Sequence, residues 1–169
     1  MKKIILSLLL LTGLSTIKAN AQMEAAQKVV YDVNKEATIN MPQMQVWAYL
    51  NQPEHLLKAS NGYATSIKIV DPAFPVAREV VFADGSKRTE TINQLEQEHK
   101  FMVIQLGTEY LPKGVSEAEI VIFTREKGNQ CLVNWRAKIK GKGEGKKALI
   151  EKLTAEFNSY AAGFELLSK

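Results

Sequence analysis

The chain has 169 residues, of which 46% are hydrophobic and 24% charged, with a formal net charge of +4. That is the usual size of one domain and enough apolar material for a packed core. Its single cysteine, Cys131, excludes an internal disulfide, so stability has to come from packing.

Met1-Lys2-Lys3 leads into an apolar run from Ile4 to Leu14, a charged start and greasy stretch that read as an export signal. Ala19-Asn20-Ala21 supplies the small-x-small pattern for cleavage after Ala21, making residues 1–21 a signal peptide and 22–169 one domain, periplasmic or extracellular. The apolar run is too short to span a bilayer comfortably, so no stable membrane anchor is expected after cleavage. Losing Lys2, Lys3 and Lys18 lowers the charge from +4 to about +1, and the remaining chain mixes both signs, so no nucleic-acid partner is inferred. Lys138, Lys140, Lys142, Lys146 and Lys147 flank a glycine-rich turn and read as a solvated loop.

Residues 28–40 alternate, with Val29, Tyr31, Val33, Ala37 and Ile39 on one face, as a half-buried strand does. Pro42 suits a first helical turn, and Met44, Val46, Trp47, Leu50, Leu56 and Leu57 predict two short helices broken near Asn51-Gln52-Pro53. The β pattern returns at Ser66–Asp71. Ala77–Ala83 and Lys87–Glu96 flank Asp84-Gly85, a hairpin dipeptide. Phe101–Leu106 is a further short strand, followed by the irregular stretch Gly107–Ser116. Glu117–Glu126 and Gln130–Ile139 form a second hairpin around Gly128-Asn129, completing seven expected strands. Finally, Leu149, Leu153, Phe157, Tyr160, Phe164 and Leu167 recur at steps of three and four, predicting an amphipathic helix over 145–167, about 33 Å long. Its continuous apolar stripe needs a partner, and only the strands together are large enough to cover it. The fold class is therefore α+β.

This order resembles the START-like, or SRPBCC, superfamily, in particular its polyketide cyclase/dehydrase and lipid transport branch. The most telling stretch is Glu36-Ala-Thr-Ile-Asn-Met-Pro-Gln-Met-Gln-Val-Trp47, which is similar to the family's first strand, proline-containing turn and tryptophan-bearing helix. The resemblance implies a helix-grip: a strongly curved seven-stranded antiparallel sheet wrapped around the C-terminal helix, with a cavity between them. It also implies that the connection Gly107–Ser116 lies near the cavity entrance. Each buried methylene of a guest would contribute about 0.8 kcal/mol, so a chain of about ten carbons would bind usefully after association costs.

Strand alternation and helical spacing place Tyr31, Phe82, Phe101, Trp135, Phe157 and Tyr160 toward the sheet-helix space as candidate ligand-binding residues, with plain core packing the alternative for each. Trp47 is expected to plug one end of the barrel. Arg78 and Arg136 are expected on the surface; either one inside would need a partner, for which a ligand carboxylate is one candidate. His55 and His99 both read as exposed, and neither has a metal-ligand spacing. Cys131 begins an apolar strand and resembles a buried, inert thiol. No residues suggest themselves as catalytic, and neither a metal nor a cofactor is expected. The expected function is an exported binding or carrier protein for a small hydrophobic molecule or lipid. The alternatives are a cyclase or dehydratase using ionisable groups in the same cavity, and a scaffold for protein contacts through Gly107–Ser116.

Overall fold

A computed structural model describes residues 29–169; the expected signal peptide, residues 1–21, lies outside them. Seven strands form one antiparallel sheet in the order β1-β7-β6-β5-β4-β3-β2. They are β1 (Val33–Ile39), β2 (Ala64–Asp71), β3 (Val76–Phe82), β4 (Lys87–Glu96), β5 (Phe101–Leu106), β6 (Val115–Lys127) and β7 (Gln130–Gly141). Two short helices, α1 (Gln43–Asn51) and α2 (Pro53–Ala59), separate β1 from β2, and the chain ends in α3 (Gly143–Leu167). This is the helix-grip expected from the element order. The first strand is shorter than its alternation suggested, and the last helix starts two residues earlier, at Gly143.

The hairpins follow their turn chemistry. Gly85 sits at φ +79°, and the Asp84 carboxylate accepts the Ser86 backbone N–H at 2.8 Å. Register shifts in β2, β4 and β6 each add a residue to one side of a strand pair, which bends the sheet. The concave face carries Val80 and Phe82 of β3, Ile104 of β5, and Val133 and Trp135 of β7, all buried. Helix α1 closes one end: Trp47 is buried and its indole N–H donates to Gln97 Oε1 at 2.7 Å, the plugging role expected of it. Gln43 Nε2 donates to both the carbonyl and the hydroxyl of Thr124 on β6 at 3.0 Å.

Helix α3 buries Leu149, Leu153, Phe157, Tyr160 and Phe164 against the concave face. Two departures from the expected stripe matter. Leu167 stays 37% exposed in the last turn, and Glu156, at 2% exposure, lies within the buried face. Close approach of α3 to the end of α2 depends on Gly163, where an added Cβ would fall 2.1 Å from the Ala59 carbonyl oxygen. Nearby, the Ser159 hydroxyl donates to the Ser60 carbonyl at 2.8 Å, which also accepts the Tyr63 backbone N–H at 3.0 Å, and so ties α3 to the turn after α2.

Alanine has a helix preference over glycine of roughly 1 kcal/mol, so an unconstrained position would gain from Gly163→Ala. Here the methyl meets backbone, and the substitution is expected to destabilise the protein by about 1–3 kcal/mol in urea unfolding; a gain in stability would contradict this helix contact.

Candidate functional site

The concave face is not all carbon. Arg78 on β3, Arg88 and Glu90 on β4, and Glu156 on α3 are all buried there. Glu90 accepts from Arg78 Nε at 2.6 Å and from Arg88 Nε at 2.8 Å, with a second contact from an Arg88 terminal nitrogen. The two terminal nitrogens of Arg88 donate to the two Glu156 oxygens at 2.8 and 2.7 Å, a bidentate pair joining sheet to helix. Two positive and two negative groups thus balance. The expectation that Arg78 is on the surface is corrected: it shares the inward face with Val80 and Phe82, and Glu90 supplies the partner that makes its burial tolerable. Arg78 donates to protein only through Nε; its terminal nitrogens have no hydrogen-bond partner among the described residues.

Burial alone would raise the Glu90 carboxyl, but the charges of Arg78 and Arg88 outweigh it and hold the group down to about 2. Burial likewise opposes the charge on Arg88, and the Glu156 and Glu90 carboxylates more than offset it, so Arg88 stays charged. The Tyr160 phenol is driven far above its ordinary value, first by burial and then by Glu156 and Glu90. None of these three groups exchanges a proton near neutral pH.

Four of the candidate aromatics, Phe82, Trp135, Phe157 and Tyr160, are buried in the sheet-helix space. Trp135 packs on Phe164 at 6.1 Å between centroids, and its indole N–H has no partner among the described residues. Tyr31 and Phe101 do not join them. Both line an open groove of about 490 Å³ on the outer face, together with Phe123 and Arg136. Tyr31 precedes β1, so the strand's alternation does not reach it, and its ring lies 5.1 Å from the Arg136 guanidinium carbon. Phe101 shares its face with Val103, whereas Met102, Ile104 and Leu106 point inward. Arg136 is on the outer face as expected, 4.8 Å over the Phe123 ring.

Between the sheet and α3 lies a cavity of about 160 Å³. Phe82, Arg88 and Leu106 form its sheet side, Leu149 and Lys152 its helix side, and Tyr110, Leu111 and Pro112 its cover. The cover belongs to the irregular stretch, which contains a single 3-10 turn, Thr108–Tyr110. At about 30 Å³ per water, the space takes roughly five water-sized groups, less than the ten-carbon chain weighed above. His99 is exposed as expected, but His55 is half-buried, its ring 5.1 Å from that of Tyr49. Cys131 is buried, and burial pushes its thiol up to about 11, in keeping with an inert thiol.

Residues 31–167 match the family described as polyketide cyclase/dehydrase and lipid transport. No curated protein matches the chain. Solved structures do. The protein XoxI from Bacillus cereus is 16% identical with a TM-score of 0.65, covering 81% of this chain and 97% of that one. Norcoclaurine synthase from Thalictrum flavum, in complex with dopamine and hydroxybenzaldehyde, is 19% identical with a TM-score of 0.62, covering 80% and 84%. The di-domain ARO/CYC protein BexL of the BE-7585A biosynthetic pathway is 8% identical with a TM-score of 0.68, covering 79% of this chain and 45% of its own length. At these identities the structural likenesses establish the fold.

The ion cluster makes a pH prediction. Glu90 is held below the ordinary value of 4.5, so its contribution is complete above that pH and is lost as pH falls toward about 2. Urea unfolding should show a loss of roughly 3 kcal/mol over that interval, and Glu90→Gln should flatten it while lowering stability at pH 7. An unchanged acid limb in the variant would contradict the pairing.

Proposed function

The chain belongs to the polyketide cyclase/dehydrase and lipid transport family, and on that premise we propose that it is a binding or carrier protein for a small apolar molecule held between the sheet and α3. The observation that carries this reading is the cavity beneath Tyr110, Leu111 and Pro112, with Phe82, Leu106 and Leu149 as its apolar walls. Phe82 is the one sequence-predicted aromatic among its lining residues; Trp135, Phe157 and Tyr160 are buried outside the lining. A structure of the same fold, norcoclaurine synthase, holds dopamine and hydroxybenzaldehyde, small aromatic molecules.

The enzyme alternative is favoured by one observation, the convergence of Arg78, Arg88, Glu90, Glu156 and Tyr160 inside the sheet. Against it, the carboxylates are already engaged by arginines, and Glu90 and Tyr160 are shifted away from neutral pH in opposite directions. A general acid or base works best with a pKa near the working pH, so the carrier reading is preferred. Export belongs to the same proposal and is supported by the Ile4–Leu14 run and Ala19-Asn20-Ala21.

Ala148 lines the cavity but faces solvent enough to accept a larger side chain. Ala148→Phe is expected to fill the entrance and weaken apolar ligand binding roughly tenfold or more, with stability changed by about 1 kcal/mol or less. Native mass spectrometry before and after organic extraction checks the wild type: an extractable small molecule is expected, and an interior that neither yields nor takes up one would overturn the carrier reading. N-terminal sequencing of protein recovered outside the cytoplasm should begin at Gln22; an intact Met1 there would overturn the cleavage proposal.

A further inference from the structure

We infer that the cavity selects a short-chain carboxylic acid, with its chain among Leu106, Leu111 and Leu149 and its carboxylate at the Lys152 ammonium. The inference rests on the ligand-binding reading above and adds the chemistry of the head group. Among the residues lining the cavity, Lys87, Arg88 and Lys152 carry positive charge, and no aspartate or glutamate lies in the lining. Two of the three, Arg88 and Lys152, pack on one aromatic wall: Lys152 Nζ is 4.6 Å and the Arg88 guanidinium carbon 4.9 Å from the Phe82 ring centre. A cation held on a ring is partly stripped of water and is the readier to take an anion. Lys87 also lines the cavity, but its ammonium is more exposed than that of Lys152 and does not pack on the Phe82 ring, so it is not the assigned partner.

The two cations differ in what they have left to offer. Arg88 is committed to Glu90 and Glu156, so it is a fixed wall. Lys152 donates to the Ser86 hydroxyl at 2.7 Å and lies 3.8 Å from the exposed Asp84 carboxylate, too far for a hydrogen bond. An ammonium has three donors, and a pair this long and exposed is worth little, so Lys152 can turn to an entering carboxylate at small cost. The interior carboxylates do not repel that anion, because each is turned to an arginine. An amine would meet three cations instead. The cavity volume of about 160 Å³ limits the part of the guest beyond its carboxyl group to roughly five carbons, as in hexanoate.

NMR titration of the full domain with hexanoate, hexan-1-ol and hexylamine tests this. Hexanoate is expected to bind tightest, ahead of the alcohol by roughly tenfold, equivalent to 1.4 kcal/mol, with the amine last. Lys152→Gln should bring hexanoate down to the level of the alcohol, and Asp84→Asn, which removes the competing carboxylate, should strengthen hexanoate by about two- to threefold. An acid bound no better than the alcohol, a preference that survives Lys152→Gln, or hexanoate shifts confined to the outer groove at Arg136 would each overturn the inference. Alcohol binding without acid preference defeats this inference alone; no binding by any of the three defeats the ligand-binding reading with it.

Discussion

An unpaired charge inside a protein costs several kcal/mol, and four charges are buried between the sheet and the terminal helix of this one. They are tolerable only as a set. Arg88 is the centre: it holds Glu90 within its own strand and Glu156 across the interior, while Arg78 completes Glu90 from the neighbouring strand. Because the Arg88–Glu156 pair is bidentate, it constrains the rotation of α3 as well as its distance from the sheet. The apolar stripe supplies the drive to bury the helix, and the ion cluster specifies how it sits. Close approach at Gly163 and the Ser159–Ser60 hydrogen bond fix the far end.

This division shapes what the interior can do. Toward the C-terminal half of α3, large side chains such as Phe157, Phe164 and Trp135 fill the space between helix and sheet. Toward the N-terminal half, small Ala148 and the arching stretch after β5 leave a gap, whose polar boundary is Arg88 and Lys152. A self-neutralised cluster is a poor source of exchangeable protons but a rigid floor for a guest. Ligand selection and catalysis make opposite demands on such groups: selection needs charges that stay put, catalysis needs at least one that titrates near working pH.

Much of the architecture was legible in the chain. Asp84-Gly85 and Gly128-Asn129 marked hairpins because tight turns require positive φ, and the three-and-four spacing after Gly145 marked the helix. The site is less legible, because the apolar positions neighbouring Arg78 in its strand point its side chain outward if they alone are read. Parity held the missing signal: Arg78 stands two and four residues from Val80 and Phe82, Arg88 and Glu90 stand four and two from Ile92, and Glu156 lies three after Leu153 and four before Tyr160. What no pattern in one element supplies is the pairing across elements that makes such burial affordable. Phe101 faces out because β5 carries apolar residues on both faces, Phe101 and Val103 on one and Met102, Ile104 and Leu106 on the other, so alternation alone does not say which face is inward.

The central claim is that a guest enters beneath Tyr110, Leu111 and Pro112 rather than binding the aromatic groove outside the sheet. Methyl groups report on both locations: Leu106, Leu111 and Leu149 border the cavity, whereas Val121 lines the outer groove. Methyl chemical-shift mapping during addition of a short apolar alcohol should move the three leucines saturably and leave Val121 in place. Movement of Val121 with the cavity methyls still would contradict the account.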